Sequence, residues 1–459
     1  MHNFNLNFIP PRKGVYIVGG SVRDALRGYP PKDYDIAVTE NAREIAETIG
    51  RRVGSRVIEI GKPGKRIYRV IAGADTYDIS PAKGPTVTED LALRDFTINA
   101  IAYDVFDKKL IDPVKGLSDI DKGIVRMVCP AAFRSDPLRL LRAFRIAAAL
   151  DFDISPDTLN EIKNNAAAIK TVAGERIREE WIKLLGAAGS FGHIRKMEET
   201  GLLAAILPEL TPLKECPRNA HHAFNAFEHS LSVYRHLENM LDLDTPRLSD
   251  RCRNTELIHA AAGIGLIKHA ALVHDIGKPR TYSVDESGKT HFYGHETTGS
   301  AISRDISKRL CFSTVQKNYV SSLILHHLRP MFLFTAMSAG RNKNLAKARF
   351  FMRTAPFTPD LLLLFTADMM GKGTKLDVSG IVSFARETIS ACFDSFYPET
   401  QNPPLITGHD LIFRFGLPPS PLIAEILDKI ELQRLSGNIT TREKALTFAD
   451  NYLKTKNPS

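Results

Sequence analysis

The 459-residue chain lacks the features that mark secreted, membrane-spanning and zinc-ribbon proteins. It contains no run of 18 apolar residues and no N-terminal charged segment followed by an apolar core. Its five cysteines are far apart and include no Cys-x-x-Cys pair, which argues against a disulfide framework or a zinc ribbon. They are Cys129, Cys216, Cys252, Cys311 and Cys392. We therefore expect a cytoplasmic protein from a reducing compartment, with no membrane partner.

Fixed-period repeats and low-complexity tracts are also missing. Hydrophobic residues make up 43% of the chain and charged residues 25%, as in ordinary globular proteins, and the length predicts roughly two to four domains. The net charge of +9 suits a polyanionic partner, although basic residues scattered over solvated faces would give the same excess.

A glycine pair near the N-terminus predicts a phosphate-binding turn. The strand-like run Val15–Val18 ends in Gly19-Gly20, and a helix opens at Ser21. Glycines let the backbone approach an anion closely, and the first turn of a helix offers free N–H groups. Arg23 adds a fixed positive charge. The pattern fits neither the P-loop nor Gly-x-Gly-x-x-Gly.

A pair of aspartates follows this turn. Asp33 and Asp35 are two residues apart, so on a strand both carboxylates face the same side. Such a pair suits Mg²⁺, which takes oxygen ligands and keeps substrate phosphates in its coordination shell. Asp78 lies on a plausible neighbouring strand as a third carboxylate, or else faces solvent. The turn and the aspartates together predict a nucleoside-triphosphate site with two metal ions for phosphoryl or nucleotidyl transfer.

The periodicity of the chain predicts an α+β fold. Over roughly the first 130 residues, β-rich runs alternate with helical stretches, which indicates an α/β sheet with helices on one side. From Asp136 onward helical periodicity dominates. The expected strands are Val15–Val18, Tyr34–Val38, Val57–Ile60, Tyr68–Ile71 and Thr76–Ile79, and the expected helices are Val22–Leu26 and Ala42–Ile49.

An arginine row marks the first of these later helices. Arg139, Arg142 and Arg145 fall on one side of the helix that starts near Asp136. Like charges at this spacing cost a few tenths of a kcal/mol per pair, on the order of 0.2–0.5. A bound anion would relieve this repulsion, and guanidinium groups match phosphate geometry. A solvated amphipathic face is the alternative.

Several motifs, in order, resemble class II tRNA nucleotidyltransferases, the family of CCA-adding enzymes and bacterial poly(A) polymerases. The resemblance covers nearly the whole chain, and its motifs are Gly19–Asp24, Asp33–Asp35, Leu91–Ala100, Asp136–Arg145, Glu175–Glu179 and Leu405–Leu411. It implies a polymerase-beta-like nucleotidyltransferase head, followed by an all-α neck, an HD domain and a tail that contacts tRNA. The corresponding ranges are 1–135, 136–212, 213–397 and 398–459.

The resemblance also implies roles for individual residues. Arg94 and Asp95 would contact phosphate and ribose, with Leu93 in place of a family arginine. Asp136 and Arg139 would read the base, with Ser135 in place of a family glutamate. The implied nucleotide-binding set is Gly19, Gly20, Arg23, Arg94, Asp95, Asp136, Arg139, Arg142 and Arg145. Arg176 and Glu179 are expected to brace the neck against the head.

A second metal site is implied by the HD motif. His229, His274-Asp275 and Asp368 follow the family order, and His295 and the pair His326-His327 resemble the extra histidines of binuclear members. The implied ligand set is His229, His274, Asp275, His295, His326 and Asp368. Imidazole and carboxylate ligands suit a divalent transition metal. The resemblance implies phosphodiesterase or phosphatase capacity at this site.

The expected activity is template-independent addition of C and/or A to the tRNA 3′ end from CTP and ATP, with release of pyrophosphate. Three alternatives remain: a poly(A) polymerase, an enzyme that adds only the C or only the A residues, and an HD phosphohydrolase whose head merely binds nucleotide.

Overall fold

The computed structural model describes residues 4, 6–61, 66–216, 225–242, 263–339, 343–373 and 378–456. The chain forms two compact units, Met1–Pro208 and Glu209–Ser459. The first contains a mixed sheet and the second is almost entirely helical, which confirms the predicted α+β class. No helix among the described residues has the length and apolarity needed to span a bilayer.

A seven-stranded sheet organises the first unit, in the order β3-β4-β5-β2-β1-β6-β7. The β2 and β5 strands are parallel, and the other neighbours are antiparallel. The strands are β1 Val15–Val18, β2 Asp33–Val38, β3 Ile58–Ile60, β4 Ile67–Ala72, β5 Asp75–Pro81, β6 Ala102–Asp104 and β7 Lys109–Ile111. The helices between and after them are α1 Gly20–Leu26, α2 Ala42–Val53, α3 Val87–Ala92 and α4 Gly116–Asp121.

Helices cover both faces of this sheet, rather than the one face that was predicted. On one face, apolar residues of β2 such as Ile36 pack with Ile45 and Ile49 of α2. On the other face, which carries Asp33 and Asp35, α3 packs its Val87 against Ala37. The aspartate face is therefore closed at the Ala37 end of β2 and open towards Asp33.

A stacked tyrosine pair stabilises the parallel register of β2 and β5. Tyr34 and Tyr77 lie opposite each other, with ring centroids 5.1 Å apart. Aromatic pairs of this kind contribute about 0.5–1.5 kcal/mol beyond the burial of their surface. A slip by one residue would turn every side chain to the wrong face, so this pair also determines which residue lies beside Asp35.

Helices follow the sheet within the first unit. The long helix α6, Leu138–Leu150, buries Leu140, Leu141 and Phe144, and α8, Gly174–Gly186, buries Trp181 fully. The α6 helix ends at Asp151, which adopts a left-handed conformation with φ of 56°. The elements are β8 Ile124–Val125, α5 Ala131–Ser135, α6 Leu138–Leu150, β9 Asp153–Ile154, α7 Pro156–Asn165, α8 Gly174–Gly186, α9 Ser190–Glu199 and α10 Leu202–Ile206.

The second unit is built around a buried helix, α18, whose residues from Thr358 to Met369 are all buried. The helices up to this point are α11 Ala226–Asp242, α12 Gly263–Val273, α13 Lys278–Thr281, α14 His295–Arg309, α15 Thr314–His326, α16 Arg329–Ser338, α17 Lys343–Thr354 and α18 Thr358–Gly371. A small hairpin, which the sequence did not predict, joins β10 Ser283–Val284 to β11 Thr290–His291. Short 3₁₀ or π turns lie at Thr97–Asn99, Ala166–Thr171, Pro208–Lys214, Ala355–Phe357 and Cys392–Phe396.

The C-terminal helices form a separate apolar cluster around Leu411, Ile426 and Ala445. These last helices are α19 Val378–Ala391, α20 Tyr397–Thr400, α21 Gly408–Phe415, α22 Pro421–Leu435 and α23 Arg442–Lys456. Residues 217–224, which follow the start of the predicted HD range 213–397, lie outside the described residues, as does Cys252. Cys129, Cys216 and Cys392 are free thiols, as expected.

Candidate functional site

The glycine turn lies directly against a catalytic-type carboxylate. Gly19 links β1 to α1 with φ of +74°, a conformation that side chains disfavour. A Cβ atom there would lie 2.9 Å from Nη1 of Arg94 and 3.2 Å from Oδ2 of Asp35. The Ser21 hydroxyl ties the turn to β2, since it accepts from the Asp35 N–H at 3.0 Å and donates to the Asp33 carbonyl at 2.9 Å. Turn, arginine and aspartate thus form one site.

Three carboxylates share this face of the sheet. Asp33 and Asp35 alternate with buried residues of β2, and Asp78 lies beside Asp35 in the parallel register. Burial raises the pKa of Asp35, and the charges of Asp78 and Asp33 raise it further, against the opposing effect of Arg94 and Arg142. Crowded carboxylates of this kind are stabilised in their ionised form by a bound cation.

Asp78 occupies the predicted position but already has a partner. Arg69 of β4 binds it with two parallel hydrogen bonds, from Nε to Oδ1 and from Nη2 to Oδ2, both 2.7 Å long. Bidentate pairs of this type are strong and fix the plane of the carboxylate. The sequence analysis did not identify Arg69.

These groups open onto a cleft of about 1080 Å³ on the first unit. Its walls come from the glycine turn, the three aspartate-bearing positions of the sheet, and the arginine face of α6. The predicted residues that line it are Gly20, Arg23, Asp33, Asp35, Asp78, Arg142 and Arg145. The cleft is large enough for a nucleotide.

A buried network positions the arginines at the cleft wall. Asp95 accepts from Nε and Nη2 of Arg142 at 3.1 and 2.8 Å, and from Nδ2 of Asn99 at 3.0 Å. The Asn99 amide oxygen accepts in turn from Nη1 of Arg23 at 2.7 Å. Burial alone would raise the pKa of Asp95, but the Arg142 charge and these hydrogen bonds outweigh it and lower the pKa. Asp95 therefore stays ionised and aligns Arg142 directly and Arg23 through Asn99.

A carboxylate that the sequence analysis missed relieves the repulsion along α6. Glu180 of α8 is buried and accepts from Nε of Arg145 at 2.8 Å, and its other oxygen lies 3.6 Å from Nη1 of Arg142. Nothing in the sequence distinguished Glu180 from the other acidic residues of its helix, because its pairing depends on how α8 packs against α6. The arginine row is therefore neutralised in part by the protein itself.

The side chains of the two predicted base-reading residues bind to other parts of the protein, although the Arg139 N–H donates to the Asp136 carbonyl at 3.0 Å. Asp136 accepts from Nη2 of Arg176 at 2.8 Å. Arg139 donates from Nη2 to the Leu93 carbonyl at 3.1 Å and from Nη1 to the Ala132 carbonyl at 3.2 Å. Arg176 thus bonds to the start of α6 rather than to Glu179, a contact that braces α8 against this segment.

Two further clusters of ligand-type side chains lie in the second unit. In each, three donor atoms lie within 4.8 Å of one another. Asp275 lies between the clusters, with Oδ2 at 3.6 Å from Nε2 of His229 and Oδ1 at 3.4 Å from Nε2 of His295. The first cluster is His229, His274 and Asp368, and the second is Asp275, His295 and His327.

All four histidines of these clusters are held in the same way. Each Nδ1 atom bonds to a backbone carbonyl. The pairs are His229 with Gly371, His274 with Ala271, His295 with Phe292, and His327 with Ile324. A donating Nδ1–H leaves Nε2 as the atom with a lone pair, which is the arrangement that metal-binding histidines show. Burial and the neighbouring His274 and His295 lower the pKa of His327 to about 3, which keeps it neutral. The donor set fits a divalent metal.

The predicted ligand His326 is wrong, and its neighbour His327 takes the place. The His326 ring stacks on Phe357 with centroids 5.8 Å apart, and its Nδ1 accepts from Nε of Arg329 at 2.8 Å. Adjacent helical residues point about 100° apart, so only one of the two histidines can face the cluster. The sequence pattern His326-His327 did not indicate which one.

Known proteins share this architecture. Residues 15–126 match the Poly A polymerase head domain, residues 151–214 match a model described as the probable RNA and SrmB-binding site of polymerase A, and residues 226–368 match the HD domain. The A-adding tRNA nucleotidyltransferase of Deinococcus radiodurans is 30% identical over 452 residues, covering 96% of each chain. The CC-adding tRNA nucleotidyltransferase of Synechocystis is 29% identical over 97% of this chain and 95% of that one.

A solved structure agrees in fold. The complex of a CCA-adding enzyme with CTP superposes with a TM-score of 0.65 at 20% identity, over 96% of this chain and 91% of that one. The head motifs, the site geometry and the full-length relatives point to one conclusion. The chain belongs to the class II tRNA nucleotidyltransferase and poly(A) polymerase family, is a nucleotidyltransferase, and carries an HD domain.

Proposed function

We propose that the cleft of the first unit transfers nucleotides to the 3′ end of tRNA, with Asp33 and Asp35 as ligands of two Mg²⁺ ions. The observation that carries the proposal is the placement of Asp35 between the Gly19 turn, Arg94 and Asp78. Bound Mg²⁺ would lower the charge on the triphosphate and favour attack by the RNA 3′-hydroxyl.

The side chains of the protein supply the remaining parts of the reaction. Arg23 and Arg142 face the cleft in orientations set by Asn99 and Asp95, so they are preorganised to bind phosphate oxygens. Backbone N–H groups at the start of α1 add donors for the same anion. Arg23 is also held by Asp24, whose Oδ1 lies 2.9 Å from Nη2.

Base selection is assigned to Asp136 and Arg139. A carboxylate accepts from an exocyclic amino group and a guanidinium donates to ring acceptors, so the two can read the edge of a base. Arg176 holds Asp136 in place, and the Leu93 carbonyl holds Arg139. The relatives named A-adding and CC-adding are consistent with addition of A, of C, or of both, from ATP and CTP.

Incubation with tRNAs that end before, within and after C-C-A, with one labelled triphosphate at a time, tests this proposal. Incorporation confined to C-C-A positions supports it and identifies the nucleotides added. An open-ended A tail on any RNA would favour a poly(A) polymerase instead. A lack of incorporation with every triphosphate would overturn it.

The HD domain supports a second proposed activity, hydrolysis of a phosphoester. Its support is the six buried ligand-type side chains, with four imidazoles each anchored through Nδ1 to a carbonyl. A divalent transition metal held there would supply Lewis-acid activation of water. Metal content by elemental analysis, together with hydrolysis of phosphomonoesters and phosphodiesters, tests it. Absence of metal after reconstitution would contradict it.

The four-part division 1–135, 136–212, 213–397 and 398–459 remains a proposal. It is supported by the residue ranges that the head, RNA-binding and HD models match and by the separate apolar cluster of the last helices. Expression of 398–459 alone would test whether the tail folds independently.

A further inference from the structure

An exposed isoleucine surface adjoins the aspartates on the same face of the sheet. Its four members lie on the two outermost strands of that edge, and each is 37–47% exposed. They are Ile58 and Ile60 of β3 and Ile67 and Ile71 of β4. Aliphatic side chains grouped in this way on a soluble protein indicate a binding surface.

Strand register makes this surface continuous with the catalytic groups. Ile58 lies opposite Arg69, Arg69 opposite Asp78, and Asp78 opposite Asp35. In a parallel row, Ile71 lies opposite Thr76, and Thr76 opposite Asp33. Residues in register share one face of a sheet, so two rows run from the isoleucines to the aspartates.

The other directions away from Asp35 are occupied. The Gly19 turn and Arg94 lie on the β1 side. Val87 of α3 covers Ala37 at one end of β2. At the other end the arginine-lined cleft suits a triphosphate, and its β5–β4 side, with Thr76 and Arg69, opens towards the isoleucines. A second reactant that must bring a hydroxyl group to Asp35 therefore has the β4–β3 side as its open approach.

The chemistry of the surface suits a polynucleotide end. Isoleucine side chains offer apolar contact to bases and ribose. The half-exposed Arg69 (41%), whose Nε and Nη2 bind Asp78, keeps Nη1 outside that pair as a donor for a phosphate. From β2 to β3 is three strand spacings, about 14 Å, whereas stacked nucleotides rise about 3.4 Å each. The surface is thus long enough for more than one nucleotide.

We propose that Ile58, Ile60, Ile67, Ile71 and Arg69 bind the 3′-terminal nucleotides of the RNA that is extended. The proposal rests on the nucleotidyl-transfer function proposed above and adds the location of the second substrate. A second copy of the chain, paired through the exposed β3 edge, is the competing occupant.

Two substitutions test the surface. Ile71→Thr removes apolar area but keeps β-branching, and Ile58→Asp adds a charge that repels phosphate. We expect either to raise the KM for RNA by about tenfold, which corresponds to about 1.4 kcal/mol, with the KM for triphosphate unchanged. Phe106→Thr is the control, because Phe106 is similarly exposed (45%) but follows β6, towards the opposite edge of the sheet.

Direct binding separates this inference from the function on which it rests. Fluorescence anisotropy with a tRNA ending in C-C and with the same tRNA lacking its single-stranded end measures what the terminal nucleotides contribute. The proposal expects both surface variants to reduce that contribution and Phe106→Thr to leave it intact, whether or not incorporation is detected. Unchanged RNA binding in both variants would overturn it. Sedimentation velocity tests the competing occupant. If the wild-type protein is a dimer, and the two variants dissociate it without changing RNA binding, the proposal is also overturned.

Discussion

A buried acid in the second unit should make the protein less stable at alkaline pH. Asp360 is 3% exposed, and its Oδ2 accepts from the Tyr319 hydroxyl at 2.6 Å. Its Oδ1 has no hydrogen-bond partner among the described residues. Burial raises the pKa of Asp360 to about 7, against a smaller opposing effect of the Tyr319 hydrogen bond. The folded state thus binds a proton that the unfolded chain releases near its ordinary pKa of 3.8.

The size and sign of the effect follow from this difference. Between pH 4 and 7 the unfolded state ionises first, so stability falls as pH rises and stays low above the folded pKa. About three pKa units at 1.36 kcal/mol each give roughly 4 kcal/mol. Asp360→Asn removes the titration and keeps an oxygen for Tyr319, so it should stabilise the protein at pH 8 and change little at pH 4.

Thermal unfolding of wild type and Asp360→Asn at pH 4, 6 and 8 checks this prediction. The difference in Tm should grow with pH. Asp157→Asn is the control. Asp157 lies in the first turn of α7, as Asp360 lies in the first turn of α18, but Asp157 is exposed. Its substitution should therefore not stabilise the protein at pH 8. A Tm difference that is independent of pH, or a variant less stable than wild type at pH 8, would refute the reasoning.

Three further expectations concern the two sites. Asp35→Ala should abolish nucleotide incorporation and leave any HD hydrolysis intact. Incorporation at the wild-type rate in this variant would exclude Asp35 as a metal ligand. His327→Ala should lower the metal content of the HD site and spare incorporation, whereas His326→Ala should retain the metal, and the reverse pattern would contradict the assignment. Gly19→Ala should reduce incorporation, because the added Cβ atom would displace Arg94. Gly28→Ala is the control, since Gly28 has a similar φ of +88° but a Cβ atom there would meet no atom within 4 Å. Equal losses of incorporation in both variants would indicate general backbone strain alone.

Local patterns predicted the sheet well where β-branched and aromatic residues cluster. Each of the five expected strands overlaps one of β1–β5, and Gly19 and Asp35 meet as the motif spacing indicated. The strands β6 and β7 escaped prediction although they are no shorter than β3, because Ala-Tyr-Asp and Lys-Leu-Ile carry fewer β-branched residues than the run Val57–Ile60 that marked β3. The helix α3 also escaped prediction, although its start carries a local signal, since the Thr86 side chain accepts from the Glu89 N–H.

The site was harder to predict wherever a contact joins distant segments. Glu180 and Arg69 are ordinary surface-type residues by sequence, and only packing brings them to Arg145 and Asp78. The choice between His326 and His327 depends on a helix rotation that two adjacent histidines cannot reveal.

The single tryptophan of the chain gives the first unit its own optical signal. Trp181 is fully buried in α8 and adjoins Glu180, which anchors the arginines of the cleft wall. Fluorescence excited selectively at the indole ring is therefore emitted from α8 in the first unit alone, whatever happens in the second unit. Quenching or a red shift of that emission would report loosening of the arginine support while the other unit is still folded.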